Sequence, residues 1–255
     1  RSPVLPDLRR IYRDSLKSAD SWFNLYVARP PAAVVVYALR GTRTTPNQVT
    51  LMSLVIMLGA AAALLAMPGW LGLWAGVLLV ELSYVFDCAD GQLARLTGRT
   101  SPIGAELDFL MDELKAYLLV AAVAGRLYLH DGAGLSALWV GLATLVTVAT
   151  AISLTKFVRS REYAEATGAE RVGHGQSAAA ASQRRSPLWP VEMVFRLISQ
   201  YPQTLPLFAL LGRMDAFLYA YGAVHLLYVA RTALAVTLKI GRFAPRAGDA
   251  GGQAE

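Results

Sequence analysis

Four aspartates fall within 26 residues at spacings that suit metal and phosphate chemistry. Asp87 and Asp90 are three apart in the run Asp87-Cys-Ala-Asp90-Gly91-Gln-Leu-Ala94-Arg95, and Asp108 and Asp112, four apart, follow Gly104. On a helix, residues three or four apart share a face, so each pair can act together. Two such pairs on facing helices can hold divalent cations through oxygen, and Mg²⁺ keeps positions open for water and substrate phosphates. Gly91 and Gly104 lack side chains where a helix or ligand must come close. Arg95 offers a guanidinium fork to phosphate oxygens. The inventory suits a diphosphate substrate.

The bland alternative is a set of helix caps and ion pairs. Caps explain one or two carboxylates near helix starts, but not four at paired spacings with glycines between them. The surrounding sequence is also very apolar, and a carboxylate there costs a few kcal/mol unless it faces a partner or a wet cavity. Glu106, two residues before Asp108, falls off that face and is not expected to be a ligand.

Other polar residues flank the quartet. Lys115 is three residues past Asp112 and seven past Asp108, hence on the same face, while Arg43 and Arg159 stand before the first and after the fourth apolar segment. If the three converge they can bind a phosphorylated acceptor, although a bias of basic residues to one membrane side explains each equally well. In Pro46-Asn47-Gln-Val-Thr50 the proline and asparagine suffice locally as a helix start, with Asn47 as N-cap. Glu81, alone in an apolar segment, is expected to hydrogen-bond a neighbouring helix. Cys88, the single cysteine, excludes an intrachain disulfide and reads as packing filler. His130, His174 and His225 have no metal spacing.

The elements that must position these residues are membrane elements. Of 255 residues, 55% are hydrophobic and 16% charged, a balance that points to a polytopic membrane protein. The net charge of +6 is better explained by basic residues at membrane ends than by nucleic acid, since no soluble domain is available to present a basic face. The first forty residues lack the apolar run of a cleavable signal, and a chain starting at Arg1 is expected to be trimmed, processed or cut from a longer protein.

The expected fold is an all-α integral membrane protein with six transmembrane helices preceded by an N-terminal amphipathic interfacial helix. Residues 1–20, with Arg9, Arg10, Arg13 and Lys17, read as a cytoplasmic extension. Residues 21–45, anchored by Trp22 and Phe23 and interrupted by Pro30-Pro31, read as the interfacial segment. Residues 46–242 form the catalytic membrane unit, and the Gly- and Ala-rich 243–255 is expected to be disordered. The six spans are Val49–Met67, Gly69–Phe86, Ile103–Leu129, Leu135–Leu154, a fifth broken by Glu192, Arg196, Pro202 and Pro206, and Ala216–Leu238. A polar loop, residues 156–186, separates the fourth and fifth. Lys and Arg concentrate at both termini and in the loops beside the aspartates, which puts the termini and the site on the cytoplasmic side of the cell (inner) membrane. Trp70, Trp74 and Trp139 would sit at the outer interface and Trp189 at the inner one.

The pattern D-x2-D-G-x2-A-R-x8-G-x3-D-x3-D resembles the signature of the CDP-alcohol phosphotransferases, matched at Asp87, Asp90, Gly91, Ala94, Arg95, Gly104, Asp108 and Asp112. The resemblance extends to Pro46-Asn47 and Thr50 upstream and to the apolar segments beyond. It implies a CDP-linked donor, commonly CDP-diacylglycerol, and a divalent-metal enzyme using two ions of Mg²⁺ or Mn²⁺. It implies metal ligands at Asp87, Asp90, Asp108 and Asp112, with Asp112 also the general base. Gly91, Ala94, Arg95, Gly104, Asn47 and Thr50 would line the CDP site, CMP would be released, and the protein would be a homodimer. Lys17-Ser-Ala-Asp20-Ser-Trp22, Arg29-Pro30 and the run from Thr45 to Thr50 look closest to the inositol-phosphate-using branch, which suggests a polyol or polyol-phosphate acceptor. Two competitors differ in testable ways. An aspartate-rich membrane prenyltransferase would release inorganic diphosphate. A cation transporter would place its carboxylates near the bilayer midplane, in broken helices of an inverted repeat that is not visible in this sequence.

Overall fold

The computed structural model describes residues 4–15, 22–167 and 197–240, and every regular element among them is helical. Helix α1, Val4–Asp14, lies within the expected N-terminal extension and buries Ile11. A turn of π-helix, Asn24–Ala28, leads into α2, Arg29–Leu39. The Pro30-Pro31 break is thus a change of helical pitch rather than a loop: both prolines fall in the first turn of α2, where their missing N–H groups matter least. Helix α2 buries Ala32, Ala33 and Val36 and exposes Pro30 and Val34.

The long helices follow: α3 Pro46–Ala66, α4 Gly69–Thr97, α5 Pro102–Leu129 and α6 Gly134–Arg159. Short α7, Arg161–Thr167, continues past Ser160, and α8 Tyr201–Leu210 and α9 Met214–Ile240 complete the described chain. The start of α3 corrects one expectation. Thr45, not Asn47, is the N-cap: its hydroxyl accepts from Gln48 N–H at 3.4 Å, while the Gln48 amide oxygen accepts from Thr45 N–H at 2.9 Å. This reciprocal box leaves Asn47 inside the first turn with its side chain available elsewhere. Helix α4 also runs beyond the expected end at Phe86, carrying Asp87 through Arg95 before Gly98 stops it at φ 65°. That left-handed backbone is one glycine adopts without strain.

Helix α3 packs on α4 and α5, α5 on α6, and α6 on α9, while α8 touches α4 and α9. Met57, Leu64, Val77, Leu119, Val123 and Phe217 fill the space between them. A second core of Ile11, Ala33, Val36, Val49, Ala89 and Leu93 joins α1 and α2 to the polar ends of α3 and α4. Close approach is set by small residues: a Cβ added to Gly141 on α6 would lie 2.2 Å from the Ala124 Cβ on α5. At the opposite end Arg126, 2% exposed, donates to the carbonyls of Met67 at 3.2 Å and Gly69 at 2.7 Å, so one cation caps the α3–α4 turn. Asp131 lies 3.6 Å from it.

Among the described residues four helices, α3, α4, α6 and α9, are long and apolar enough to cross a membrane. Helix α5 has the length, but Glu106, Asp108, Asp112, Glu113 and Lys115 crowd its first half. The described part of the fifth expected segment is residues 197–210, which include the ten residues of α8. Its start, Trp189, His174 and most of the 156–186 loop lie outside the described residues, as does the 243–255 tail. Glu81 does not make the expected bond: among the described residues its buried Oε1 has no hydrogen-bond partner. His130 and His225 turn to backbone carbonyls, of Leu65 at 2.9 Å and Tyr221 at 2.8 Å.

Candidate active site

Because α4 does not end at Phe86, Asp87 and Asp90 project from a continuous helix toward the first turns of α5, which carry Asp108 and Asp112. Carboxylate oxygens of Asp87, Asp90 and Asp108 lie within 4.8 Å of one another, and Asp90 is 5% exposed. Three oxygen donors without imidazole or thiolate in the group fit a hard divalent cation, Mg²⁺ or Mn²⁺, and the expectation of metal at these residues meets a suitable donor set. Asp112 stands outside the group. Its Oδ1 lies 2.8 Å from the ammonium of Lys115, which also contacts Asp87 Oδ1.

Helix α3 supports the group from the other side. The Thr50 hydroxyl, 3% exposed, donates to Asp90 Oδ2 at 2.5 Å and lies 3.2 Å from the Pro46 carbonyl. Ser83 donates to the Ser53 carbonyl at 2.7 Å and ties α4 to α3 one turn below. Gly104 sits where the starts of α3 and α5 meet: a Cβ there would lie 3.0 Å from Ser101 Oγ and 3.3 Å from Asn47 Oδ1. Ser101 caps α5 by accepting from Gly104 N–H at 3.1 Å. Asn47 and Gly104 therefore stand together, although 57 residues separate them in sequence.

Arg95 lies one turn past Gly91 on α4. Its guanidinium folds over Gly91, where a Cβ would lie 3.2 Å from one terminal nitrogen, and its Nε donates to the Ser15 carbonyl at 2.8 Å. Ala94 lies half-buried between them in sequence. A cavity of about 380 Å³ opens between α1 and α4 beside Arg95. Its acids pair with its own arginines, Asp7 with Arg40 at 2.7 Å and Asp14 with Arg10 at 3.5 Å, so it belongs to the docking of α1.

The three expected acceptor residues stand in different surroundings. Lys115 is engaged by two carboxylates, Arg43 is exposed on the turn before α3, and Arg159 is half-buried at the last residue of α6. Neither arginine forms an ion pair among the described residues. Nearby, Lys156 pairs with Glu113 at 2.7 Å and lies 5.3 Å from the centre of the Phe109 ring. Glu106 is exposed and outside the three-carboxylate group, as its register implied.

Sequence reasoning missed the support from the N-terminal segment. Arg29, 3% exposed, donates to the Cys88 carbonyl at 3.3 Å, between the first two aspartates, and Gln92 Nε2 donates to the Arg29 carbonyl at 3.3 Å. Tyr84 donates to Asn24 Oδ1 at 2.6 Å and Tyr12 to the Leu25 carbonyl at 2.9 Å. The available signal was an arginine inside an otherwise apolar helix, which must find a partner.

A family model for CDP-alcohol phosphatidyltransferase matches residues 43–240, covering every element from the turn before α3 to the end of α9. The chain belongs to the CDP-alcohol phosphatidyltransferase family. Within that family it is similar to archaetidylinositol phosphate synthase of Aeropyrum pernix, 39% identical over 102 residues, or 39% of this chain and 49% of the relative. It is also similar to phosphatidylinositol phosphate synthases of Corynebacterium glutamicum, 36% identical over 108 residues, and Cutibacterium acnes, 37% identical over 113 residues. These matches cover 40% and 44% of this chain and 48% and 51% of the relatives. The chain spans about half the length of the curated relatives it matches.

Proposed function

We propose that this CDP-alcohol phosphatidyltransferase moves the phospho-alcohol of a CDP-linked donor, CDP-diacylglycerol foremost, to a hydroxyl of a polyol phosphate such as inositol phosphate, releasing CMP. The observation that carries the reading is the meeting of Asp87, Asp90 and Asp108 from two helices within 4.8 Å, in a chain of this family. The names of the relatives, inositol phosphate synthases of two lipid types, support the choice of acceptor. Asp87, Asp90 and Asp108 would hold a divalent cation, with Asp112 able to complete a second site. Bound there, the cation would neutralise charge on the donor diphosphate.

The protein's own residues do the rest. Asp112, with its side chain 52% exposed, accepts the proton of the acceptor hydroxyl as that oxygen attacks the phosphorus bearing the alcohol and CMP departs. Asn47 and Gly104, brought together at the helix starts, form one wall of the nucleotide site, with Gly91, Ala94 and Arg95 beyond Asp90. Thr50 serves that site through Asp90. Arg43 and Arg159 receive the acceptor phosphate.

The enzyme works as a homodimer of six-span subunits, residues 46–242 forming the catalytic unit, with residues 21–45 at the interface and site and termini facing the cytoplasm of the inner membrane. The test is purified protein with Mg²⁺ or Mn²⁺, CDP-diacylglycerol and a panel of free and phosphorylated polyols. CMP release with inositol phosphate, lost in Asp90→Asn, is expected; a panel that yields no CMP overturns the reading.

A further inference from the structure

Arg29 is 3% exposed and opens α2, a helix whose other buried residues are Ala32, Ala33 and Val36. A guanidinium sealed in such company must direct its donors at buried acceptors. It reaches α4: Arg29 donates to the Cys88 carbonyl at 3.3 Å, and the buried Gln92 side chain donates back to the Arg29 carbonyl at 3.3 Å. Cys88 and Gln92 are four residues apart, so the two bonds staple one turn of α4 that begins just after Asp87 and contains Asp90. At about 3.6 residues per turn, Cys88 and Gln92 lie on the side of α4 away from the face that Asp87 and Asp90 share. Ala89 and Leu93 pack with Ala33 and Val36 in one core, so α2 grips this turn from behind the carboxylates.

We propose that Arg29 is a positioning residue: from the back of α4 it fixes the turn that presents Asp87 and Asp90 to Asp108, and so sets the affinity of these carboxylates for a divalent cation. This deepens the proposed function and rests on its assignment of the three aspartates as ligands. Arg29 belongs to a segment outside the stretch 43–240 that the family model matches. A helical side chain leaves the backbone in a fixed direction, so a loosened or rotated turn would swing Asp87 and Asp90 relative to α5. Two influences of opposite sign can be told apart. As a charge, Arg29 would repel a divalent cation, and its removal would tighten binding. As a brace, its removal weakens binding, the usual consequence of losing a group that orients metal ligands.

The test is Mn²⁺ binding to the purified full chain, followed by electron paramagnetic resonance, with the thermal midpoint in detergent measured alongside. Arg29→Met is expected to weaken Mn²⁺ binding by about tenfold, with CMP release recovering at high Mn²⁺. Gln92→Leu, which cuts only the return bond, should weaken it in the same direction by about threefold. Arg126→Met is the control: it removes the cap of the α3–α4 turn at the opposite end and lowers the midpoint, yet should keep Mn²⁺ affinity within about twofold of the unaltered chain. An Arg29→Met chain that binds Mn²⁺ equally or more tightly overturns the proposal. So does an Arg126→Met chain that loses as much affinity as Arg29→Met, because the loss would then follow stability alone. If Arg29→Met does not fold, Gln92→Leu decides, and an isotherm superimposed on the unaltered one refutes the brace. An unaltered chain that binds Mn²⁺ but releases no CMP would count against the proposed function while leaving these comparisons valid.

Discussion

Thr50→Val is the sharpest test of how the site is supported. Valine keeps the branched shape of threonine, so α3 loses a hydroxyl at a position 3% exposed and little else. That hydroxyl donates to Asp90 Oδ2 at 2.5 Å, and Asp90 is itself 5% exposed, so bulk water has poor access to replace the donor. A hydrogen bond to a charged group contributes about 1.5–3 kcal/mol, and each ~1.4 kcal/mol is tenfold in affinity. The same range, roughly ten- to a hundredfold, is typical when a group that orients a metal ligand is removed. Thr50→Val should therefore weaken Mn²⁺ binding by roughly ten- to a hundredfold, read by electron paramagnetic resonance titration, with CMP release restored only at high Mn²⁺. Thr50→Ser, which keeps the hydroxyl, should stay within about threefold of the unaltered chain. The reasoning fails if Thr50→Val binds Mn²⁺ normally and instead raises the KM for the CDP-linked donor. Threonine would then be reading the nucleotide directly.

Two further substitutions probe the scaffold. Arg126→Met removes both donors to the Met67 and Gly69 carbonyls and should cost about 3 kcal/mol, seen as a lower thermal midpoint in detergent; Arg126→Lys should recover only part, because one ammonium does not reproduce the fork, and an unchanged midpoint in Arg126→Met would disprove the cap. Gly141→Ala puts a Cβ 2.2 Å from that of Ala124 and should destabilise by about 1–3 kcal/mol, with the paired change Ala124→Gly restoring stability; no recovery in the double variant would mean the contact is not the cause.

Much of this was legible in the sequence because lipid simplifies the reading. Apolar runs near 20 residues read as helices long enough to cross a membrane, so α3, α6 and α9 were found within about five residues of their ends. The aspartate spacings are those of side chains sharing a helix face. Two physical effects defeated the rest. Hydropathy changes at Phe86, but the helical hydrogen-bond ladder does not, so α4 ran on to Gly98, where backbone chirality rather than polarity stops it. The register put Lys115 on the aspartate face but did not reveal its pairing, which follows from burial: a sealed ammonium is neutralised by its nearest acids, here Asp87 and Asp112. Ser15, Arg29 and Asn24 bond α4 residues 60 or more positions away in two of three cases, and such pairings leave no periodic trace. The Thr45-x-x-Gln48 cap, by contrast, was written in local sequence and was overlooked in favour of the neighbouring asparagine.

The unbroken course of α4 couples the chemistry to lipid dimensions. Its 29 residues extend about 43 Å at about 1.5 Å each, against a hydrocarbon slab about 30 Å thick. Asp87 stands about 27 Å along this rod from Gly69, with no hinge between them. Acyl-chain length therefore sets the height of the carboxylates relative to the headgroups: a thick bilayer submerges them, and a thin one lifts them into water.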